Sequence, residues 1–182
     1  MTASHNRTRQ WLLCALFAAL AAICSQIQIP LPMVPINLAL FAVHLAGALL
    51  GAKYGSLSIL IYLLLGLVGA PVYAGMVGGA GILFGKTGGY IVGYVIAAGI
   101  VGLLRQKWGE SFGKLCVSMA LGAAACYIFG TIWFMVVTQN SLWVSLGFCV
   151  FPFLPGDVVK ILLAATLCRK LLPILKKNGW VC

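Results

Sequence analysis

Asp157 and Lys160 stand three residues apart, directly after Pro155-Gly156 and at the start of a long apolar stretch. On a helix that spacing puts both side chains on one face. A carboxylate accepts hydrogen bonds and an ammonium donates them, so the pair offers both halves of a polar recognition site. Ionisable groups at the edge of membrane-like sequence are costly and mark functional sites by default. The structural alternative is capping, since Asp is a favoured N-cap and suits the positive end of the helix dipole. Capping leaves Lys160 unexplained, because a cation there opposes the dipole. A ligand role for the pair is the better reading. The one other acid, Glu110, lies between Lys107 and Lys114 and reads as solvated surface.

A second candidate is the glycine-rich stretch from Pro71 to Gly89, PVYAGMVGGAGILFGKTGG. It is too rich in glycine for a regular spanning helix and too long for a simple turn, which makes it a candidate binding loop. Its end, Ala80 to Lys86-Thr87, nearly matches a nucleotide-binding P-loop, with Ala80 where glycine is required. That reading fails, because a P-loop needs a preceding strand and a magnesium-holding acid elsewhere. A glycine-rich turn before a helix still exposes amides that suit a carboxylate or another anion. Lys86 either assists such a ligand or faces solvent, and the sequence does not choose. Tyr73, Tyr90, Asn37 and the proline-rich segment from Pro30 to Pro35 are plausible pocket walls by position, with interfacial anchoring as the alternative. A lone His44 in an apolar helix reads first as a hydrogen-bonded core residue and second as a proton-relay group.

The elements that must position these groups follow from composition. The 182 residues are 63% hydrophobic and 8% charged, where soluble domains carry about 25% charged residues. A bilayer core takes about 20 apolar residues per helix, so the length suits six crossings with short loops and no soluble domain. Hydropathy places helices near residues 11–29, 36–51, 54–70, 90–104, 115–137 and 157–175, in a single domain covering 1–182. Three prolines between residues 30 and 35 end the first of them. The segment 142–151 is apolar but too short to cross. The basic N-terminus followed by an apolar run could be a cleaved signal peptide, yet the run continues to Ile29 and suits a retained first helix.

Charge then orients the bundle. With six crossings, one side collects Arg7, Arg9, Lys53, Arg105, Lys107, Lys114, Arg169, Lys170, Lys176 and Lys177, and the other keeps Lys86 and Lys160. The positive-inside rule makes the first side cytoplasmic, with both termini on it. The same clustering at segment ends accounts for the net charge of +10 without nucleic acid, whose binders carry basic stripes. The expectation is an all-α membrane protein of six transmembrane helices, both termini inside, with an outward-facing ligand pocket in the cell membrane. The seven cysteines form no CxxC pair and read as small apolar core residues. Small residues recur at helical spacing, and the run Ala15, Ala18, Ala19 and Ala22 on the first helix is broad enough to receive a partner helix.

Ala70-Pro-Val-Tyr-Ala-Gly75, Gly78-Gly79, Thr87-Gly-Gly-Tyr90 and Pro152-Phe-Leu-Pro-Gly-Asp157 with Lys160 together resemble the BioY family, the biotin-binding substrate components of energy-coupling-factor (ECF) transporters. The resemblance runs from the Val34-Pro35 loop to the sixth helix, and the GDxxK element joined to TGGY is its specific part. It implies a six-helix fold with an outward vitamin pocket built from the first and third loops and the last three helices. It implies that Asp157 and Lys160 contact biotin; Thr87, Tyr90, Tyr73 and Asn37 are further candidate contacts, and Lys86, standing where the family usually carries proline, is a candidate for the carboxylate end. It also implies that the alanine-rich first helix docks an ECF transmembrane coupling subunit, and that partner ATPase subunits alone use ATP. No cofactor is expected beyond biotin as the transported ligand. The competing reading is a stand-alone secondary transporter, proton-linked through Asp157 or His44, though two acids make a sparse relay. No nucleophile–base pair or metal cluster is evident in the sequence, which argues against an enzyme.

Overall fold

A computed structural model describes residues 2–29 and 34–180, with side chains from Thr8 onward. The chain runs α1 (Thr2–Gln26), β1 (Gln28–Ile29), β2 (Ile36–Asn37), α2 (Ala39–Leu67), α3 (Ala80–Leu83), α4 (Gly88–Trp108), α5 (Phe112–Thr138), α6 (Leu142–Cys149) and α7 (Leu154–Lys177). Apolar side chains point outward along these helices as well as inward, with Leu16, Ile128, Val136, Leu163 and Ile174 all more than half exposed. An apolar face of that extent is unfavourable in water and suits hydrocarbon.

Among the described residues four helices are long and apolar enough to cross a membrane: Thr8–Gln26, Ala39–Leu67, Gly88–Trp108 and Phe112–Thr138. α6 and α7 together make a fifth candidate, bent by 50° at a short break. The expected second and third helices correspond to α2, which is not straight. Gly51 interrupts it with φ +78°, a conformation that costs glycine little and other residues much. A Cβ built on Gly55 would lie 2.8 Å from the Ala46 carbonyl oxygen and the Gly47 Cα. In a straight helix nine residues rise about 13 Å, so the second half of α2 folds back against the first.

Two boundaries differ from expectation for local reasons. α1 stops at Gln26, not 29, because Gln28 and Ile29 pair antiparallel with Asn37 and Ile36. Pro30 disfavours helical backbone at the residue before it. The second helix begins at Ala39, not 36, and the Asn37 Oδ1 accepts the Ala39 N–H at 3.1 Å. The proline-rich stretch 30–33 lies outside the described residues, as do the side chain of Arg7 and all of Cys182. α7 opens at Leu154, with Pro155 in the first turn where a missing N–H costs nothing.

α2, α4 and α5 form the packed centre, with α1 against α2, and α7 against both α2 and α5. At the end where α1 begins and α7 finishes, Gln10, Lys53, Tyr54, Arg105, Gln106 and Trp180 border one cleft. Arg9 lies over the Trp180 ring and donates to the Asn178 carbonyl. Glu110 accepts from Arg105 at 3.1 Å and from Lys176 at 2.8 Å, so it ties α4 to α7 across that end. Six cysteines are free thiols, five of them buried.

Candidate functional site

The opposite end holds a cavity of about 160 Å³. Its wall draws Val34, Pro35 and Asn37 from the first loop, Leu40 and Tyr62 from α2, and Tyr73, Ala74 and Val77 from the loop after α2. Thr87, Tyr90, Ile91 and Tyr94 come from the start of α4, Cys126 and Tyr127 from α5, Cys149 from α6, and Phe153, Asp157 and Lys160 from the break before α7 and its first turns. The surface is mainly apolar and aromatic with a few aimed polar groups, the composition of a small-molecule site.

Asp157 and Lys160 are both buried. Lys160 Nζ donates to Asp157 Oδ1 at 2.8 Å, and the Tyr127 hydroxyl donates to Asp157 Oδ2. The capping alternative is therefore set aside by the geometry. Phe153 occupies the cap position, α7 has no side-chain cap bond, and the Asp157 carboxylate turns to Lys160 and Tyr127, each oxygen keeping a further acceptor site. A buried ion pair is stable only when its remaining donors and acceptors are satisfied. An ammonium has three N–H donors, and among the described residues Lys160 donates to Asp157. A ligand with oxygen acceptors can complete that set.

The loop after α2 is fixed through Tyr73. Its ring lies over Gly66, where an added Cβ would be 2.1 Å from the ring, and packs edge-on against Tyr62 at 5.7 Å. Its hydroxyl donates to the Leu63 carbonyl at 2.7 Å and its backbone N–H to the Val77 carbonyl at 3.0 Å. Burial raises the phenol's pKa and keeps it in its neutral donor form. Tyr90 is set by the same kind of close approach: its ring lies against Gly130, and its hydroxyl is 3.0 Å from Thr131 Oγ1. Tyr90, Tyr127 and Phe153 make two successive edge-to-face contacts, each at 6.5 Å. Thr87 precedes α4, and its side chain makes no cap bond there.

The structure thus brings Asp157, Lys160, Tyr73, Thr87, Tyr90 and Asn37 around one cavity, and it does not bring Lys86, whose side chain is exposed and off the wall. His44 is fully buried and is not on the wall either. Its two ring nitrogens have no hydrogen-bond partner among the described residues, so the hydrogen-bonded core reading is corrected as well. On α1, Ala15 and Ala19 are exposed and Ala22 is half-buried, but Ala18 is buried at 2% exposure and faces inward. Ala18 cannot meet a partner helix, because consecutive helical positions turn by about 100°.

Sequence reasoning missed Tyr94, Tyr62, Tyr127, Cys126 and Cys149. Tyr94 was within reach, since it follows Tyr90 by one helical turn. Tyr127 carries no such signal, lying in an uninterrupted apolar run.

The sequence pattern of the BioY family matches residues 1–177. The chain is 38% identical over 164 residues to the biotin transporter BioY of Thermotoga maritima, covering 90% of this chain and 95% of that protein. It is 39% identical over 159 residues to a probable biotin transporter BioY of Pyrococcus horikoshii, covering 87% and 93%. Its fold is similar to the crystal structure of the S-component for biotin from an ECF-type ABC transporter, with TM-score 0.86, 29% identity and 94% of each chain covered.

Proposed function

The chain belongs to the BioY family, and from that premise we propose that it captures extracellular biotin for ATP-driven uptake with partner subunits. The observation that carries this reading is the buried Asp157–Lys160 pair on the wall of a largely apolar cavity. Biotin has a ureido ring with two N–H donors and a carbonyl acceptor, an apolar thiophane ring and a valerate carboxylate. The Asp157 carboxylate accepts ureido N–H groups, and the Lys160 ammonium donates to the ureido carbonyl or the valerate oxygen. The tyrosines and Phe153 supply apolar surface for the rings. Thr87, Tyr73, Tyr90 and Asn37 are the further contacts proposed.

Six crossings are proposed for the membrane arrangement, with the two halves of α2 counted separately because of the reversal at Gly51. The basic cleft around Lys53 and Arg105, close to where α1 begins and α7 ends, supports a cytoplasmic position for both termini. The cavity then faces outward. The exposed alanines Ala15 and Ala19, with Ala22 beside them, are proposed as the docking face for an ECF transmembrane coupling subunit. ATP is hydrolysed by partner ATPases in this scheme.

The test is equilibrium binding of labelled biotin to the purified protein, beside Asp157→Asn. Saturable binding at nanomolar to micromolar concentration that the substitution abolishes supports the reading. Absence of binding, or intact binding by Asp157→Asn, overturns it. Uptake into vesicles that needs ATP and partner subunits, and not a proton gradient, separates the proposed mode from secondary transport.

A further inference from the structure

Outside the cavity, one side chain ties the loop that carries part of its wall to the end of α1. Gln26 is the last residue of α1, and its amide reaches the loop after α2, 46 to 50 positions along the chain. Nε2 donates to the Val72 carbonyl at 3.1 Å and to the Tyr73 carbonyl at 3.0 Å, and Oε1 accepts the Met76 N–H at 2.9 Å. Ser25, fully buried beside it, donates to the same Val72 carbonyl at 2.5 Å. These bonds bracket Tyr73 and Ala74, two of the residues by which the loop enters the cavity wall.

Met76 has φ +57°, a left-handed conformation that a methionine rarely adopts without something to hold it. The Gln26 carbonyl oxygen is what its N–H meets. The side chain of Met76 is largely exposed, so packing does not fix this conformation. A simple helix-end role fails to account for the arrangement. A side chain that merely capped α1 would meet the helix's own carbonyls. Gln26 does contact Ala22 at 3.2 Å, yet it also spends both ends of its amide on another segment.

We propose that Gln26 is a positioning residue of the binding site, a latch that fixes residues 72–76 against the end of α1 and so holds Tyr73 in the cavity wall. Ligand escapes when these bonds open, and its residence time is set by Gln26 without any contact between the two. The consequence for ligand rests on the biotin-binding reading above; the latch itself does not.

Two measurements on the full-length protein in lipid nanodiscs separate these claims. The first is the dissociation rate of labelled biotin, and the second is backbone hydrogen exchange in the segment containing Met76. Gln26→Ala is expected to raise the dissociation rate about tenfold or more, and to speed exchange at residues 72–77 while α4 and α5 stay protected. Gln26→Glu keeps the acceptor for Met76 but sets a carboxylate oxygen against the Val72 and Tyr73 carbonyls, so its dissociation rate should rise at least as far as that of Gln26→Ala. A general loss of stability would speed exchange in α4 and α5 as well and overturn the proposal. So would an unchanged dissociation rate in Gln26→Ala, or unchanged exchange at Met76. If the unsubstituted protein binds no biotin, the reading of the preceding section falls, and the latch stands or falls on Met76 exchange alone.

Discussion

The phenol of Tyr127, on α5, donates a hydrogen bond to Oδ2 of Asp157, in the first turn of α7. This bond joins two helices that otherwise touch sparingly, and it leaves Oδ1 to Lys160. The carboxylate is thereby held in one orientation before any ligand arrives, and pre-organisation of this kind lowers the entropic cost of binding.

Tyr127→Phe removes that one bond and keeps the ring. Hydrogen bonds to charged groups contribute about 1.5–3 kcal/mol, so biotin affinity should fall by about tenfold or more while the edge-to-face contacts remain. Isothermal titration calorimetry reads the change, and unaltered affinity would show that Asp157 needs no help from α5.

Breaking the ion pair and replacing it should have different consequences. Lys160→Met alone leaves a buried carboxylate uncompensated and should cost about 3–5 kcal/mol in stability. The double substitution Asp157→Asn with Lys160→Met removes both charges and should regain much of that stability without regaining binding. Thermal unfolding in detergent, run beside the biotin titration, distinguishes a site kept for its ligand from one kept for the fold.

Gly66→Ala places a methyl group where the Tyr73 ring lies, at 2.1 Å from its nearest atom. The ring must leave its slot and the Leu63 carbonyl loses its donor. Overpacking of this kind costs about 1–3 kcal/mol, and biotin binding should weaken because the cavity wall shifts. Wild-type binding by this variant would mean that Tyr73 is not a wall residue in the bound state.

The alanines of α1 should divide by face. Ala15→Leu with Ala19→Leu is expected to leave biotin binding intact and to reduce uptake once coupling and ATPase subunits are present. Ala18→Leu, at a buried position, should instead lower the melting temperature of the isolated protein. The docking proposal loses its support if both variants give the same result.

Lys86→Ala serves as the contrasting case. Its exposed side chain stands off the cavity wall, so affinity for biotin should stay within about twofold of the unsubstituted protein, the size of effect usual for surface positions. A large loss would bring Lys86 back among the ligand contacts.

The single-letter order of the chain already carried the membrane class, the charge asymmetry and the helical face that Asp157 and Lys160 share, because hydropathy, charge and i,i+3 spacing are local properties. The family motifs around Thr87 and Asp157 were readable for the same reason. Three things were not. The stop of α1 at Gln26 depends on a strand pair with Ile36 and Asn37 that no window of sequence contains. The inward turn of Ala18, against the outward Ala15 and Ala19, depends on which side of α1 meets α2. The placing of Tyr127 and Tyr73 on one cavity, with Gln26 behind its wall, depends on contacts between residues thirty to fifty positions apart. The sequence alone determined which residues carry polar chemistry into an apolar bundle. Only the tertiary structure decided which of them share a cavity, since helix facing and long-range hydrogen bonds are settled by packing.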